Sequence, residues 1–286
     1  MEMKVAFLVL AHRAPAYIRR LVDVLSEQGD TIFIHIDKTV DISSFEKTLS
    51  SQHSTHLISN RYPITWGGFN MIRATNALLE SAVTWGSFDY FYLLSGQCFP
   101  IKSLPWLKQV LSGGLDHIDC QPMPQLSKPL TRLTKRVLND VKSRALRRLG
   151  GKILNLMPVA DIQVSLGLLP YAGSQWWCLN RDTVEYIREY LQAHPEYDKF
   201  MRWTHVPDEM YCQTLVANGP NSGRISNSLT GTIWVDGERS PEIITSSNVS
   251  KLLCQKVFLG RKFETDDFAL LDIVRDIVTG ATAIVH

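Results

Sequence analysis

The sequence lacks any apolar run long enough to cross a bilayer. Its longest runs cover residues 5–10 and 32–36, whereas a membrane-spanning helix needs ~20 apolar residues. The apolar stretch after Met1-Glu2-Met3-Lys4 is too short for a signal sequence and has no small-residue cleavage site. We therefore expect a soluble, non-secreted, cytoplasmic protein.

Cysteine is sparse as well. The five cysteines lie at positions 98, 120, 178, 212 and 254, an odd number without a Cys-x-x-Cys pair. This spacing argues against a disulfide framework and against a zinc ribbon. Free thiols in a reducing compartment are expected instead.

Several common catalytic signatures are missing. The sequence contains no GxGxxG after its first predicted strand, no GxxxxGK[ST], no HExxH and no GxSxG. It also lacks an Asp-x-Asp after an apolar strand, the usual carboxylate pair for a nucleotide-bound metal, and its eight histidines show no paired spacing on a predicted helix. We expect no metal ion and no cofactor.

The composition is that of an ordinary globular protein, with 45% hydrophobic and 20% charged residues among 286. Short apolar runs alternate with helical periodicity in the first half, which predicts a mostly parallel sheet with helices on both faces. The predicted strands are 4–10, 31–36, 88–94, 171–179 and 233–235. The predicted helices are 15–28, 42–50, 69–85, 103–111, 181–193, 207–217 and 265–279, and 219–231 is predicted to be a loop.

The carboxyl ends of parallel strands are where α/β sheets bind ligands. We therefore expect chemistry at Ala11-His12-Arg13, at Asp37-Lys38 and at Ser95-Gly96-Gln97. Asp37 could accept hydrogen bonds from a base or a ribose, or it could simply start a turn.

Positive charge is concentrated in one stretch. Residues 128–152 contain nine Lys or Arg and one acid, Asp140, so the rest of the chain carries a net charge of −6 (21 bases, 27 acids). Leucines and valines recur there at helical spacing, and Gly150-Gly151 predicts the helix end. Such a helix could pack its apolar stripe on the body of the protein, or it could contact an anionic membrane or an acidic polymer.

Four further segments carry candidate functional residues, each with a structural alternative. Trp66-Gly67-Gly68 precedes a helix whose N-terminus could hold an anion, or it is a plain turn. In Trp176-Trp177, one indole could cover a sugar while the other is core, or both are core. Asp208-Glu209 opens a helix, as a general base or as a cap. The cations could hold a diphosphate or form a solvated patch: Arg239, Arg261 and Lys262.

Taken together, the segments resemble glycosyltransferase family fourteen, which comprises core-2/I-branching β-1,6-N-acetylglucosaminyltransferases and peptide O-xylosyltransferases. The shared motifs appear in order from about residue 4 to 264: AHR, FIHIDK, ITWGG, YLLSGQCFPIKS, GSQWWCLNRDTVEYI, PDE and GRKFE. WGG, the GSQWW stretch and RKFE look closer to the xylosyltransferase branch. The resemblance implies a single GT-A-type domain with a Rossmann-like nucleotide-sugar half and an acceptor and diphosphate half. We place the first half at about 1–127 and the second at 153–286, with the basic helix at 128–152 between them.

The resemblance also implies a chemistry: inverting transfer of N-acetylglucosamine or xylose from a UDP-sugar without a metal. Glu209 matches the family's base and Lys262 its diphosphate lysine, while either Arg239 or Arg261 matches the accompanying arginine. Asp37 and Arg61 match donor-half positions. The remaining segments give substrate-binding candidates: Trp66, Ser174, Gln175, Trp176 and Asp208.

The expected partners are the UDP-sugar and a glycan or lipid-linked glycan acceptor, not nucleic acid. The basic helix could add peripheral contact with the inner face of a membrane. Two alternatives stay open: a catalytically inactive glycan-binding relative, and a membrane- or nucleic-acid-binding protein acting through 128–152.

Overall fold

A computed structural model describes residues 3–26, 30–123, 131–141, 143–156, 162–238 and 240–280. Within these ranges the strands are β1 (Val5–Ala11), β2 (Thr31–Ile36), β3 (Thr55–Leu57), β4 (Tyr90–Ser95), β5 (Cys98–Pro100), β6 (Asp116–His117), β7 (Gln121–Pro122), β8 (Tyr171–Ala172), β9 (Cys178–Asn180), β10 (Ile225–Ser226), β11 (Thr230–Thr232) and β12 (Leu259–Arg261). The helices are α1 (Pro15–Leu25), α2 (Ser43–Leu49), α3 (Asn70–Trp85), α4 (Leu104–Leu111), α5 (Thr131–Thr134), α6 (Arg144–Leu154), α7 (Ile162–Leu166), α8 (Arg181–Ala193), α9 (Pro195–Met201), α10 (Tyr211–Asn218), α11 (Val249–Leu253) and α12 (Phe268–Thr279).

The centre of the fold is a seven-stranded sheet in the order β10-β6-β9-β4-β1-β2-β3. Strands β1 to β4 of this sheet pair in parallel, and β9 runs antiparallel between β4 and β6. A smaller sheet, β11-β12-β5, adjoins the carboxyl end of β4. The predicted α/β class with a mostly parallel sheet and flanking helices is confirmed, and it is consistent with a GT-A-like arrangement.

Both faces of this sheet are covered, which explains why its strands read as continuous apolar runs. Every residue of β1 is buried. Alternate side chains of β1 enter two separate cores: Val5, Phe7 and Val9 pack with α1, α2, α4 and α12, whereas Ala6 and Leu8 pack with α3, α8 and α10. The five cysteines are free thiols, as predicted.

The predicted strand 171–179 is wrong. The chain forms β8, leaves the extended conformation at 173–177, and resumes as β9. The break comes at Gly173, where a Cβ atom would lie 1.7 Å from the backbone oxygen of Asp119. Because Trp176 and Trp177 lie outside a strand, the alternation of faces does not apply, and both are buried in the same core.

The basic stretch is not one helix. It forms α5 and α6, separated by non-helical residues 135–141, while 128–130 and 142 lie outside the described residues. The predicted end at Gly150-Gly151 is also wrong, because α6 continues to Leu154. Gly150 is accommodated inside the helix because its bare Cα packs against Leu138, whose Cδ1 would lie 2.4 Å from an added Cβ.

Two smaller differences from the predicted elements lie between residues 207 and 235. The predicted helix 207–217 begins as a 3₁₀ turn, Pro207–Glu209, before α10. The predicted loop 219–231 contains β10 and most of β11. The strand predicted at 233–235 is wrong, because β11 ends at Thr232 and residues 233–235 are not in a strand. Strands of two or three residues are too short for a period to be read from the sequence.

Candidate active site

The carboxyl ends of β1, β2 and β4 meet at one edge of the sheet, as their parallel pairing requires. The backbone N–H of Asp37 donates to the carbonyl of Ala11 at 2.9 Å, and that of Gly96 donates to Leu10 at 2.8 Å. A side chain at position 96 would require its neighbours to shift, because a Cβ on Gly96 would lie 3.0 Å from Ile18 Cδ1. The three strand ends selected from the sequence therefore form one continuous surface.

Asp37 and Arg61 shape this edge through contacts with its backbone. One carboxylate oxygen of Asp37 accepts hydrogen bonds from the N–H and hydroxyl of Thr39 at 2.8 and 2.7 Å, and the other accepts from the N–H of Ile64 at 2.9 Å. Arg61 donates to the carbonyls of Ile36 and Asp37, both at 2.8 Å. The two residues hold segments 37–40 and 61–64 together, and for Asp37 the observed contacts are those of the turn alternative. Their roles toward a nucleotide stay predictions.

Two of the predicted diphosphate cations lie at the same edge. Arg261 ends β12, and its Nε is 3.4 Å from Ser95 Oγ at the end of β4. Lys262 follows, and the next residue donates its backbone N–H to the carbonyl of Gln97 at 3.0 Å. Arg239 lies outside the described residues.

The pKa of His12 depends on the charges that surround this edge of the sheet. Loss of surrounding water and the charge of Arg13 lower the pKa of His12; Asp37 opposes this shift and Lys262 adds to it. An acid and two cations therefore lie within electrostatic range of one imidazole. The neutral form of His12 is favoured here, which leaves the positive charge on the arginine and lysine side chains.

A short segment, 173–176, connects these cations to the candidate base. At one end, the backbone N–H of Gly173 donates to the carbonyl of Glu209 at 2.9 Å. At the other, the guanidinium of Arg261 lies over the ring of Trp176, 5.0 Å from its centroid. Glu209 and Arg261 therefore contact opposite ends of one segment whose three residue steps span at most ~10 Å of extended chain.

The polar side chains of this segment lie between the two ends. Ser174 Oγ accepts from the N–H of Trp176 at 3.4 Å, and its carbonyl accepts from the side chain of Gln213 at 2.6 Å. The amide nitrogen of Gln175 is buried, and in the described part of the chain it has no hydrogen-bond partner. A ligand with a hydrogen-bond acceptor at this position would be stabilised, because it would satisfy the buried N–H donor.

Glu209 lies in the 3₁₀ turn Pro207–Glu209, together with Asp208. Its carboxylate forms an ion pair with Arg132 of α5, with Nη1 and Oε2 2.5 Å apart. The backbone N–H of His205 donates to the carbonyl of Arg132 at 3.0 Å. Partial burial and then Arg132 lower the pKa of His205, while Glu209 raises it. Arg132, His205 and Glu209 thus form one group, and each of the three is partly exposed to solvent.

Sequence reasoning missed Arg132 and His205 as members of this group. Arg132 was counted only as one charge in the basic stretch, and His205 lacked a partner at metal-ligand spacing. The weak signal available was the position of His205, four residues before the candidate base. A separation of 77 residues hides the contact between Arg132 and Glu209 from any local pattern.

Trp66 lies beside this group and is largely solvent-exposed, at 76% of its surface. Its ring contacts that of His205 edge-on, with centroids 5.6 Å apart. Of the two tryptophans expected to bind substrate, Trp66 presents an exposed indole face, whereas Trp176 is buried and packs under Arg261, as in the alternative in which Trp176 and Trp177 are both core.

The anion predicted at Gly67-Gly68 is one of the protein's own side chains. Asp140 Oδ2 accepts from the backbone N–H of Asn70, the first residue of α3, at 3.1 Å. A Cβ on Gly68 would lie 2.1 Å from the other oxygen of Asp140, so glycine is needed for this approach. Burial raises the pKa of Asp140, and its backbone hydrogen bonds lower it. A cavity of about 190 Å³ lies next to this contact, between 67–69, 137–141 and 202–204.

Two further properties concern the described part of the chain as a whole. Its residues contain no group of three His, Cys, Asp or Glu side chains arranged to hold a metal ion. None of the helices within the ranges given above combines the length and apolar character required to span a bilayer.

Comparison of the sequence with known proteins identifies relatives of this chain. The chain is 25% identical to xylosyltransferase 2 of Rattus norvegicus over 245 residues, which cover 81% of this chain and 27% of that protein. It is 24% identical to a xylosyltransferase of Ciona intestinalis over 283 residues, covering 92% and 32%. It is 24% identical to human xylosyltransferase 1 over 242 residues, covering 81% and 24%. The chain thus corresponds to about a quarter to a third of the length of these relatives.

The sequence profile that describes the Core-2/I-Branching enzymes matches residues 5–257, from β1 to the residues just before β12. This range includes the candidate base and the segment 173–176. The protein belongs to the Core-2/I-Branching enzyme family.

Proposed function

We propose that this protein is an inverting, metal-independent glycosyltransferase that moves N-acetylglucosamine or xylose from a UDP-sugar to an acceptor hydroxyl. The observation that carries the proposal is segment 173–176, which is hydrogen-bonded to the backbone of Glu209 and packed under Arg261. A sugar diphosphate with its phosphates on Arg261 and Lys262 would extend its sugar toward Glu209 along this segment.

The reaction assigned to Glu209 is general-base catalysis. Its carboxylate accepts the proton of the acceptor hydroxyl while that oxygen forms a bond to the anomeric carbon. The bond from the anomeric carbon to the diphosphate oxygen breaks, and its electron pair leaves with UDP. Attack and departure on opposite sides of the carbon invert its configuration. A correctly placed base contributes roughly 10²–10⁴-fold to such a step.

The departing UDP gains negative charge, and fixed cations are the groups that stabilise it. Arg261 can bind two phosphate oxygens with its planar guanidinium, and Lys262 supplies a compact charge. Because Arg261 is held by Ser95 and by the ring of Trp176, its position is set before the donor binds. Preorganised charge of this kind is usually the largest single contribution to catalysis, and it supplies what a divalent cation supplies elsewhere.

Arg132 gives the base its environment. An adjacent cation favours the ionised carboxylate, which is the form that accepts a proton. When Glu209 becomes protonated this ion pair loses its Coulomb attraction, so Arg132 also opposes the step it prepares. We assign Arg132 as a positioning residue that keeps Glu209 charged and oriented before the acceptor arrives.

The remaining candidates recognise sugars. Trp66 offers its exposed indole face to the acceptor sugar, next to the base. The side-chain amide of Gln175 donates a hydrogen bond to a hydroxyl of the UDP-sugar. Ser174 and Asp208 adjoin the same segment and turn. The names of the relatives favour xylose among the two donor sugars, and a glycan or lipid-linked glycan is the acceptor class we propose.

The proposal is tested by measuring UDP release in EDTA with a panel of UDP-sugars and sugar acceptors. Glu209→Gln should bind UDP with unchanged affinity and lose transfer, because the amide accepts no proton. Glu185→Gln, an exposed acid on α8, is the matched control. Complete loss of wild-type activity on chelation, restored by Mn²⁺, would contradict the metal-independent reaction, and near-normal turnover of Glu209→Gln would remove Glu209 as base.

The donor site has its own test. Lys262→Ala should weaken UDP binding and slow transfer, whereas Lys251→Ala on α11, also a surface lysine, should change neither. Binding of UDP and glycan by the wild type with no release of UDP from any donor, across acceptors, would instead establish the inactive glycan-binding alternative.

A further inference from the structure

Helix α6 carries a row of exposed apolar side chains. Leu146 and Leu149 are each 60% exposed, Ile153 is 57% exposed and Leu156, just beyond the helix, is 85% exposed. Their spacing of three, four and three residues places them along one side of the helix. In the apolar stripe seen in the sequence, Leu133 is buried, but the side chains on α6 are not packed on the body of the protein.

Cations accompany this row. Arg147, Arg148 and Lys152 lie on the same helix, and Arg148 and Lys152 are exposed. Among the described residues no carboxylate forms an ion pair with any of the three. The single acid between 131 and 156, Asp140, is engaged at the N-terminus of α3.

We propose that α6 docks this protein on an anionic lipid surface, with its apolar row in the acyl boundary and its cations among the headgroups. Amphipathic helices that combine a basic face with exposed leucines bind membranes in this way. An acidic polymer would pair with the cations and leave the leucine row in water. A second copy of α6 would bring its cations against the like charges of the first.

The docking helix is joined directly to the candidate site. Gly150 of α6 packs on Leu138, and the neighbouring Asn139 donates to the carbonyl of Gly67 at 2.7 Å. Trp66 is the residue before Gly67, and its ring contacts His205 of the group around Glu209. Docking through α6 would therefore hold the acceptor side of the protein near the lipid headgroups, where a lipid-linked acceptor is located. The docking itself requires no sugar transfer and stands apart from the proposed reaction.

The experiment is sedimentation of the full chain with phosphatidylcholine vesicles that contain or lack phosphatidylglycerol, at low and high salt. Binding to the anionic vesicles is expected, with weakening by salt. Since each cation near such a surface contributes roughly fivefold in partitioning, Arg147→Gln/Arg148→Gln/Lys152→Gln should lower binding about 100-fold. Leu146→Ser/Leu149→Ser/Ile153→Ser should lower it by at least roughly tenfold.

Matched controls are available elsewhere on the surface. Ile273→Ser on α12 removes an exposed apolar side chain, and Lys199→Gln on α9 removes a cation. Neither should change vesicle binding. All variants alter surface positions, so circular dichroism and thermal unfolding should match those of the wild type.

Three outcomes would overturn the proposal. The first is no binding to anionic vesicles, or binding that both triple variants retain. The second is tight binding to an acidic polymer such as RNA with none to vesicles, which would indicate the polymer. The third is a concentration-dependent dimer in sedimentation velocity that the leucine variant abolishes without vesicle binding, which would indicate a second copy. Loss or absence of UDP release affects none of these readings, because the vesicle assay contains no sugar.

Discussion

Histidine 35 offers a direct test of how the sheet edge is stabilised. It is fully buried in β2, two residues before Asp37, and its Nε2 accepts the backbone N–H of Tyr62 at 2.9 Å. Its Nδ1 has no hydrogen-bond partner within the described chain. Protonation would therefore place a charge at a fully buried position and would set N–H against N–H at Tyr62. Burial is the main cause that lowers the pKa of His35 to about 4, and Asp37 only partly opposes it.

The size of the effect follows from the difference between the folded and unfolded pKa. In the unfolded chain a histidine titrates near 6.5. Because the folded pKa of about 4 lies below that value, the stabilising contribution is complete above pH 6.5 and declines as the pH falls toward 4. The full difference corresponds to about 3 kcal/mol, of which about 2 kcal/mol is lost by pH 5.

The assay is urea unfolding of the wild type and His35→Gln at several values between pH 7.5 and pH 4.5. Glutamine places an acceptor oxygen near the position of Nε2 but does not titrate in this range. The wild type should lose about 2 kcal/mol more than the variant between pH 7.5 and pH 5. His53→Gln, at an exposed position in the loop before β3, should follow the wild type. Equal pH dependence of the wild type and His35→Gln would refute a buried, neutral His35.

Substitutions at Gly173, Asp140 and Arg132, with their controls, test the candidate site and the contacts that support it. Gly173→Ala should lower the free energy of unfolding by about 3 kcal/mol, because the added Cβ overlaps a backbone oxygen. Gly151→Ala should raise it by about 1 kcal/mol, because Gly151 lies inside α6 and an added Cβ there meets no other atom. Equal effects of the two substitutions in urea unfolding would contradict this contrast. Asp140→Ala should cost about 1 kcal/mol through loss of the α3 cap, with Asp140→Asn closer to the wild type; an unchanged urea midpoint for Asp140→Ala would show that the cap contributes nothing. Arg132→Gln should move the acidic limb of the transfer-rate profile to higher pH, because Glu209 loses the cation that favours its charged form; a profile that falls in rate without moving would leave Arg132 a purely structural role.

The candidate site shows which of its members a sequence can provide. Glu209, Arg261 and Lys262 were selected through motif order, and the structure brings their surroundings together through segment 173–176. Arg132 and His205 were missed, since their relation to Glu209 is a contact between chain segments. Whether Trp176 is exposed or is core together with Trp177 was also beyond the sequence, because exposure depends on what packs opposite each ring.

The sequence by itself determined the elements whose periodicity is long and strong. Strands β1 and β2 are continuous apolar runs that indicate strands buried on both faces, and helices α3 and α8 have an apolar period that specifies both their type and their buried side. Parallel order then required their carboxyl ends to meet, so the location of the site was also determined in outline. Only the tertiary structure decided what occupies the space opposite each element. The anion at α3 is Asp140, the partner of Glu209 is Arg132, and the leucines of α6 remain in solvent. A period shows which side of a helix is apolar, but burial and charge pairing depend on residues that are distant in the chain.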